Sequence, residues 1–188
     1  LPNRALLDDR LELSIALADR HGGQLAVLFL DIDGFKGCND SLGHAVGDRI
    51  LQSVAERLRR GVRHSDTVFR LGGDEFIIVL TDTKGGTDAV AIADKLLRSL
   101  EAPHGIGPHE LRLTASIGIA LYPANGTTAE SLIRNADTAM YAAKGRLSVK
   151  LGRIKARNVP HSATGSHPSQ TLKTSSSTVP VTKLGRLT

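Results

Sequence analysis

The chain has 188 residues, enough for one domain with a substantial core, and 40% of them are hydrophobic. Trp is absent and aromatics make up only 3%, which argues against a stacking platform for single-stranded nucleic acid. The net charge of +5 is unevenly spread: residues 1–146 hold all 19 acids and 17 of the 24 Lys and Arg, so the basic balance belongs to residues 147–188 and does not mark the folded part as a nucleic-acid binder.

No apolar run is long enough to span a membrane, and the opening LPNRALLDD lacks the form of a secretory signal. Cys38 is the single cysteine, which fits a reducing compartment, and a cytoplasmic location is expected.

In chain order, residues 4–20 carry Leu6, Leu7, Leu11, Ile15 and Leu17 at near-helical spacing and predict a helix ended by HGGQ. LAVLFLDI, residues 25–32, is a continuous apolar run ending in acids and predicts a buried strand. From Phe35 to about Arg60 the period turns helical, with Ile50, Leu51, Val54, Ala55 and Leu58 on one face. Residues 67–71 and 75–80 flank a glycine pair and predict a hairpin. A helix over 88–100 follows, then a loop at HGIGPHELRL running into a strand through LTASIGIALY. The last helix covers 127–144, with Thr128 as N-cap and Ser131 where a capping box would have an acid, so that cap reads as half formed. From His161 on, 12 of 28 residues are Ser or Thr. Residues 147–188 are therefore expected to form a basic, disordered tail.

The order α-β-α-β-β-α-β-α predicts an α/β (α+β) fold with one central sheet and helices packed on it; without the end helices it is βαββαβ, a split ferredoxin-like core.

Chemistry concentrates in two acidic clusters. LFLDID places Asp31 and Asp33 at the end of the first strand, and GGDEF places Asp74 and Glu75 at the start of the third. Strand alternation sends Asp31 and Asp33 to one face and Ile32 to the other. A hairpin beside the first strand would bring Asp74 close to Asp31. Carboxylates with no obvious Lys or Arg to neutralise them suit a hard divalent cation completed by phosphate oxygens. Lys36 sits where a strand gives way to a helix, a place suited to phosphate. Asn39 and Asp48 carry groups able to read a purine edge, although helix capping and turn formation would also account for them. His44 and His64 have no Cys or His partner at zinc spacing and are expected at the surface, and GGTD at 85–88 is too short for a phosphate-cradling loop.

LFLDIDGFKGCNDSLGHAVGDRIL, RLGGDEFIIVL, LTASIGIA and ADTAMYAAK together resemble the GGDEF family of diguanylate cyclases, from Leu1 to about Arg146. The resemblance implies a palm domain like that of nucleotide cyclases and polymerases, with a mostly antiparallel sheet. It implies condensation of two GTP into cyclic di-GMP and two pyrophosphates by a homodimer of half-sites. Magnesium or manganese would be the cofactor, two ions per GTP site, bound by Asp31, the Ile32 carbonyl and Asp74. Asp74 would also accept the 3′-hydroxyl proton, and Glu75 would assist. Asn39 and Asp48 would read guanine, Lys36 and Lys144 would hold phosphates, and Gly72 and Gly73 would let the nucleotide approach the backbone. Arg63 and Asp66 fit the family's RxxD signature, a product-inhibition site for cyclic di-GMP, with Lys95 as its helper. The alternative is a catalytically inactive GTP- or cyclic di-GMP-binding regulatory domain; the intact turn favours the enzyme.

Two departures stand out. YAAKGRLSVK is two residues short of the family's spacing after the last helix, so the phosphate-binding arginine is displaced: Arg146 is nearest, and Ser148 occupies the expected position. The family's following strand is expected to be replaced by the basic tail. The chain begins inside the family's opening motif, and a sensory or dimerising module is expected upstream.

Overall fold

Strand Leu25–Ile32 is buried along its whole length. The reason is its place at the middle of a sheet covered on both faces. The computed structural model describes residue 1 and residues 4–106, 109–144 and 149–151. In chain order the elements are α1 (Arg4–His21), β1 (Leu25–Ile32), α2 (Phe35–Leu42), α3 (His44–Gly61), β2 (Thr67–Gly72), β3 (Glu75–Leu80), α4 (Gly86–Glu101), β4 (His104–Ile106), β5 (His109–Leu111), β6 (Ala115–Tyr122), α5 (Ala129–Ala143) and β7 (Val149–Leu151).

The sheet runs β2-β3-β1-β6-β7. The β2–β3, β3–β1 and β1–β6 pairs are antiparallel, and β7 joins β6 in parallel. This is the expected mixed fold with a mostly antiparallel sheet. Alternation along β1 sorts the core: Ala26, Leu28, Leu30 and Ile32 pack with α3 and α4, while Leu25, Val27 and Phe29 pack with α1 and α5.

Four expectations change. The single helix from Phe35 is two helices, because Gly43 takes φ 83 and ends α2 by donating its N–H to Asn39 O at 2.8 Å. The amphipathic spacing continues across that break, which hides it in the sequence. The loop at HGIGPHELRL contains a short hairpin, with His104 opposite Leu111. The cap of α5 is complete, since Thr128 N–H donates to Ser131 Oγ at 3.1 Å and Ser131 N–H to Thr128 Oγ1 at 3.2 Å; a serine closes the box as an acid would. A strand also follows α5 after all, with Val149 opposite Ile117, three residues beyond the expected boundary at Arg146. Arg146, Ser148 and residues 152–188 lie outside the described residues. Among the described residues no helix is long and apolar enough to cross a membrane.

The α3–α4 packing ends in a polar knot. His104 is fully buried, with Nδ1 2.8 Å from Ser53 Oγ and Nε2 2.9 Å from Leu100 O. The Arg57 guanidinium donates to the carbonyls of Ser99, Ala102 and Pro103, closing the C-terminal end of α4. Burial, with Arg57 close by, holds the His104 pKa below its ordinary 6.5, although the Leu100 carbonyl works the other way. The unfolded chain therefore binds this proton more readily than the folded one. The stabilisation is complete above pH 6.5 and is lost as pH falls through the lowered folded value. Comparing melting temperatures between pH 7 and pH 5 checks this: the fall on acidification is expected to be smaller in His104→Gln than in the parent.

Candidate active site

The site is built where β1 and β3 end together. Their register sets Asp31 opposite Glu75 on one side and opposite Ser116 of β6 on the other. The turn from β2 to β3 folds back because Gly73 takes φ 50, and the ladder shifts register between Arg70 and Gly72. Arg70 locks this turn with a fork, its Nε and Nη2 donating to Gly73 O at 3.0 and 2.9 Å. Ile32 N–H then donates to Asp74 O at 3.3 Å, which joins the two acidic clusters through the backbone. The expected approach of Asp74 to Asp31 is what the sheet produces. The Ile32 side chain points into the core and is 1% exposed, so only its backbone can serve the site.

Asp31 is 6% exposed. It is not unneutralised, as the sequence suggested. Lys144, at the C-cap of α5, places Nζ 3.1 Å from Asp31 Oδ1 and donates to Oδ2 at 3.2 Å. The Lys144 ammonium thus lies against both carboxylate oxygens. Burial raises the pKa of Asp31, Lys144 partly offsets the rise, and Asp74 and Asp33 add to it. Burial also raises Glu75, helped by Asp31, Asp137 and Asp74. The hydrogen bond to Asp31 raises Lys144. A site that pushes two carboxylates upward favours added positive charge. Asp33 is held apart by the Ser116 hydroxyl, which donates to its Oδ1 at 3.0 Å.

On the α3 side of the turn a cavity of about 550 Å³ is lined by Asp48, Leu51, Gln52, Ala55, Arg70 and Gly72. The expected base-reading Asp48 and the glycine turn thus share one cavity. Asn39 lies on α2 against the first turn of α3, with its Oδ1 buried and without a hydrogen-bond partner. Lys36 is exposed in the first turn of α2, behind Gly34 at φ 70. Glu75 opens instead onto a cavity of about 580 Å³ between α1 and α5, together with Asp8, Glu12 and Asp137. Among the described residues no three His, Cys, Asp or Glu side chains form a closed metal cage. A cation here would draw on few carboxylates, a backbone carbonyl and ligand oxygens, which suits magnesium.

Arg63 and Asp66 lie together at the start of β2, where they line a cavity of about 520 Å³ with Arg59, Val62 and His64. Asp66 is 8% exposed, and its oxygens accept the N–H groups of Arg63 at 2.9 Å and Thr81 at 3.2 Å. The carboxylate therefore staples its own turn, while Arg63 stays exposed. Lys95 donates to Gly61 O at 3.1 Å, at the C-terminal end of α3. Arg70 and Ser116 were not singled out in the sequence. Arg70 could have been noticed as a lone cation two residues before a glycine turn; Ser116 carried no signal.

A family model described as diguanylate cyclase, GGDEF domain, matches residues 1–148. The chain is 53% identical over 144 residues to the bifunctional diguanylate cyclase/cyclic di-GMP phosphodiesterase MucR of Pseudomonas aeruginosa, with 77% of the chain and 21% of that protein aligned. It is 48% identical over 145 residues to the diguanylate cyclase TpbB of the same species, with 77% of the chain and 33% of that protein aligned. The chain thus spans a third or less of the length of these curated relatives. The crystal structure of the GGDEF domain of TpbB superposes with a TM-score of 0.80 at 44% identity, covering 82% of this chain and 98% of that one.

Proposed function

Since the chain belongs to the GGDEF family of diguanylate cyclases, we propose that it condenses two molecules of GTP into cyclic di-GMP with release of two pyrophosphates. The observation that carries this reading is the intact RLGGDEF turn: it joins Asp74 to Ile32 through the backbone and sets Gly72 in one cavity with Asp48.

In each half-reaction a 3′-oxygen to phosphorus bond forms and the bond to the leaving pyrophosphate breaks. Asp74 accepts the 3′-hydroxyl proton, and Glu75 supports the same charge. Asp48 accepts from N1–H and the exocyclic amine of guanine, and Asn39 adds a further base contact. Lys36 and Lys144 hold phosphate oxygens, and Gly72 and Gly73 keep side chains away from the nucleotide. The residues fit a divalent cation, given two crowded carboxylates, Asp31 and Glu75, whose raised pKa values favour added positive charge. Asp31, Asp74 and the Ile32 carbonyl would hold magnesium or manganese, two ions per GTP, which supplies charge to the transferring phosphate and the departing pyrophosphate.

One domain holds one GTP, so the working unit is a homodimer, and a dimerising module upstream would bring the copies together. GTP supply places the domain in the cytoplasm. The test is a turnover assay on nucleotide-free protein with GTP and magnesium at rising protein concentration, reading cyclic di-GMP by mass. Product is expected to rise faster than linearly with protein. GTP binding without product would instead support the second reading, a nucleotide-binding regulatory domain; MucR, a bifunctional relative, pairs the two opposed activities in one protein.

Product inhibition at Arg63 and Asp66 belongs to the same proposal. The exposed Arg63 is the cleaner probe, because truncating Asp66 would also free the N–H groups of Arg63 and Thr81. Arg63→Ala is expected to shift half-inhibition by cyclic di-GMP upward by about tenfold, the effect of removing one charge-assisted hydrogen bond. An inhibition curve that does not move would remove the second site.

A further inference from the structure

Gly47 lies buried in the first turns of α3, directly before Asp48. A methyl group there would sit 1.7 Å from Asn39 Oδ1 and 2.8 Å from Asn39 Cγ, and it would touch nothing closer than these. Two backbone bonds set up the contact: Gly43 N–H donates to Asn39 O at 2.8 Å and Gly47 N–H to Gly43 O at 3.2 Å, which folds the start of α3 back over the end of α2. Into the gap left by the missing side chain goes the Asn39 amide, whose oxygen is buried and unpaired. A buried amide oxygen without a donor is costly. The oxygen end of the amide is seated against the bare Cα of Gly47, and the Nδ2 end, 3.4 Å from the same methyl position, is the end left to meet a base edge.

We propose that Gly47 is a positioning residue for guanine recognition, its bare Cα being the surface that holds the Asn39 amide in its base-reading orientation beside Asp48. This rests on the reading that Asn39 contacts the base. Gly47 has ordinary helical backbone within α3. Alanine is the better helix former there. The atoms it would meet are the end of a rotatable side chain and not backbone. The substitution is therefore accommodated by swinging Asn39 away, and the fold does not suffer.

The experiment is a double-mutant cycle on the full 188-residue chain. Binding of α,β-methylene GTP and of its adenosine counterpart, both with magnesium, is measured by calorimetry, and melting temperatures are measured beside it. Gly47→Ala is expected to weaken the guanosine analogue about tenfold, roughly one hydrogen bond, to leave the adenosine analogue unchanged and not to lower the melting temperature. On an Asn39→Ala background, where the gap is already open, Gly47→Ala is expected to change binding by less than about twofold. An equal loss in both backgrounds, or no loss in the parent while Asn39→Ala weakens binding, overturns the proposal. A lowered melting temperature in Gly47→Ala overturns it too, since backbone and not Asn39 would be yielding. If Asn39→Ala itself binds guanosine normally, the underlying reading of Asn39 fails, and that result is distinct from a failure at Gly47.

Discussion

Asp74→Ala is expected to reduce cyclic di-GMP formation by about a thousandfold or more, on the order of 4 kcal/mol of transition-state stabilisation, while GTP stays bound. Three features make the effect specific to chemistry. The backbone bond from Ile32 N–H to Asp74 O does not involve the side chain, so the turn that joins β2 to β3 survives. Gly73 and the Arg70 fork that hold that turn are likewise untouched. The side chain is half-buried and outside both core clusters, so its removal leaves no core cavity. Asp74 also helps to raise the pKa of Asp31 and of Glu75, and losing it removes repulsion from a crowded edge. The melting temperature is expected to stay level or rise slightly. Mass detection of product, calorimetric GTP binding and a thermal melt on the same preparation check all three; residual activity above about a tenth of the parent's would remove Asp74 from the reacting centre.

The link between Asp31 and Lys144 shows what the sequence could and could not disclose. β1 was legible to the residue because a central strand buried on both faces is apolar along its length until Asp31, where it reaches the site. The β2–β3 hairpin was legible because two strand-like runs flank a glycine pair. The acidic edge then followed from adjacency alone, as β3 pairs with β1. The break at Gly43 was not legible, because helix periodicity passes over it. β7 was missed because a three-residue edge strand carries too little pattern to read. The ion pair of Lys144 with Asp31 spans 113 positions. No local rule reaches that far; it exists because α5 packs across β6 and β1 and delivers its C-terminal end to the end of β1. For Asn39 and Asp48 side-chain chemistry suggested base reading but did not separate it from capping and turn formation, and the expected roles of Arg63 and Asp66 came from resemblance alone. For Asp66 the structure adds a turn-stapling task that the motif does not mention.

The seating of α5 leads to the second large effect. A methyl group on Gly118 would stand 2.1 Å from both Ala136 O and Met140 N, and 2.8 Å from Ala139 C. These are helix backbone atoms and cannot rotate aside as the Asn39 amide can. Gly118→Ala must therefore lift α5 from the sheet, along with Leu132, Ala136 and Met140, which pack on Val27 and Phe29. Overpacking of this kind is expected to cost about 3 kcal/mol, roughly 10 °C of melting temperature in a domain of this size. Alanine's better strand propensity offsets well under half of that. The same displacement carries Lys144 away from the end of β1, where it pairs with Asp31 and would hold phosphate oxygens during turnover. Catalysis is therefore expected to fall further than the folded fraction does, even at temperatures where the variant remains folded. Thermal melts paired with turnover at about 15 °C, near the temperature of maximum stability, separate the two losses. A variant that melts within about 2 °C of the parent would mean that α5 does not rest on Gly118, and the route by which Lys144 reaches Asp31 would have to lie elsewhere.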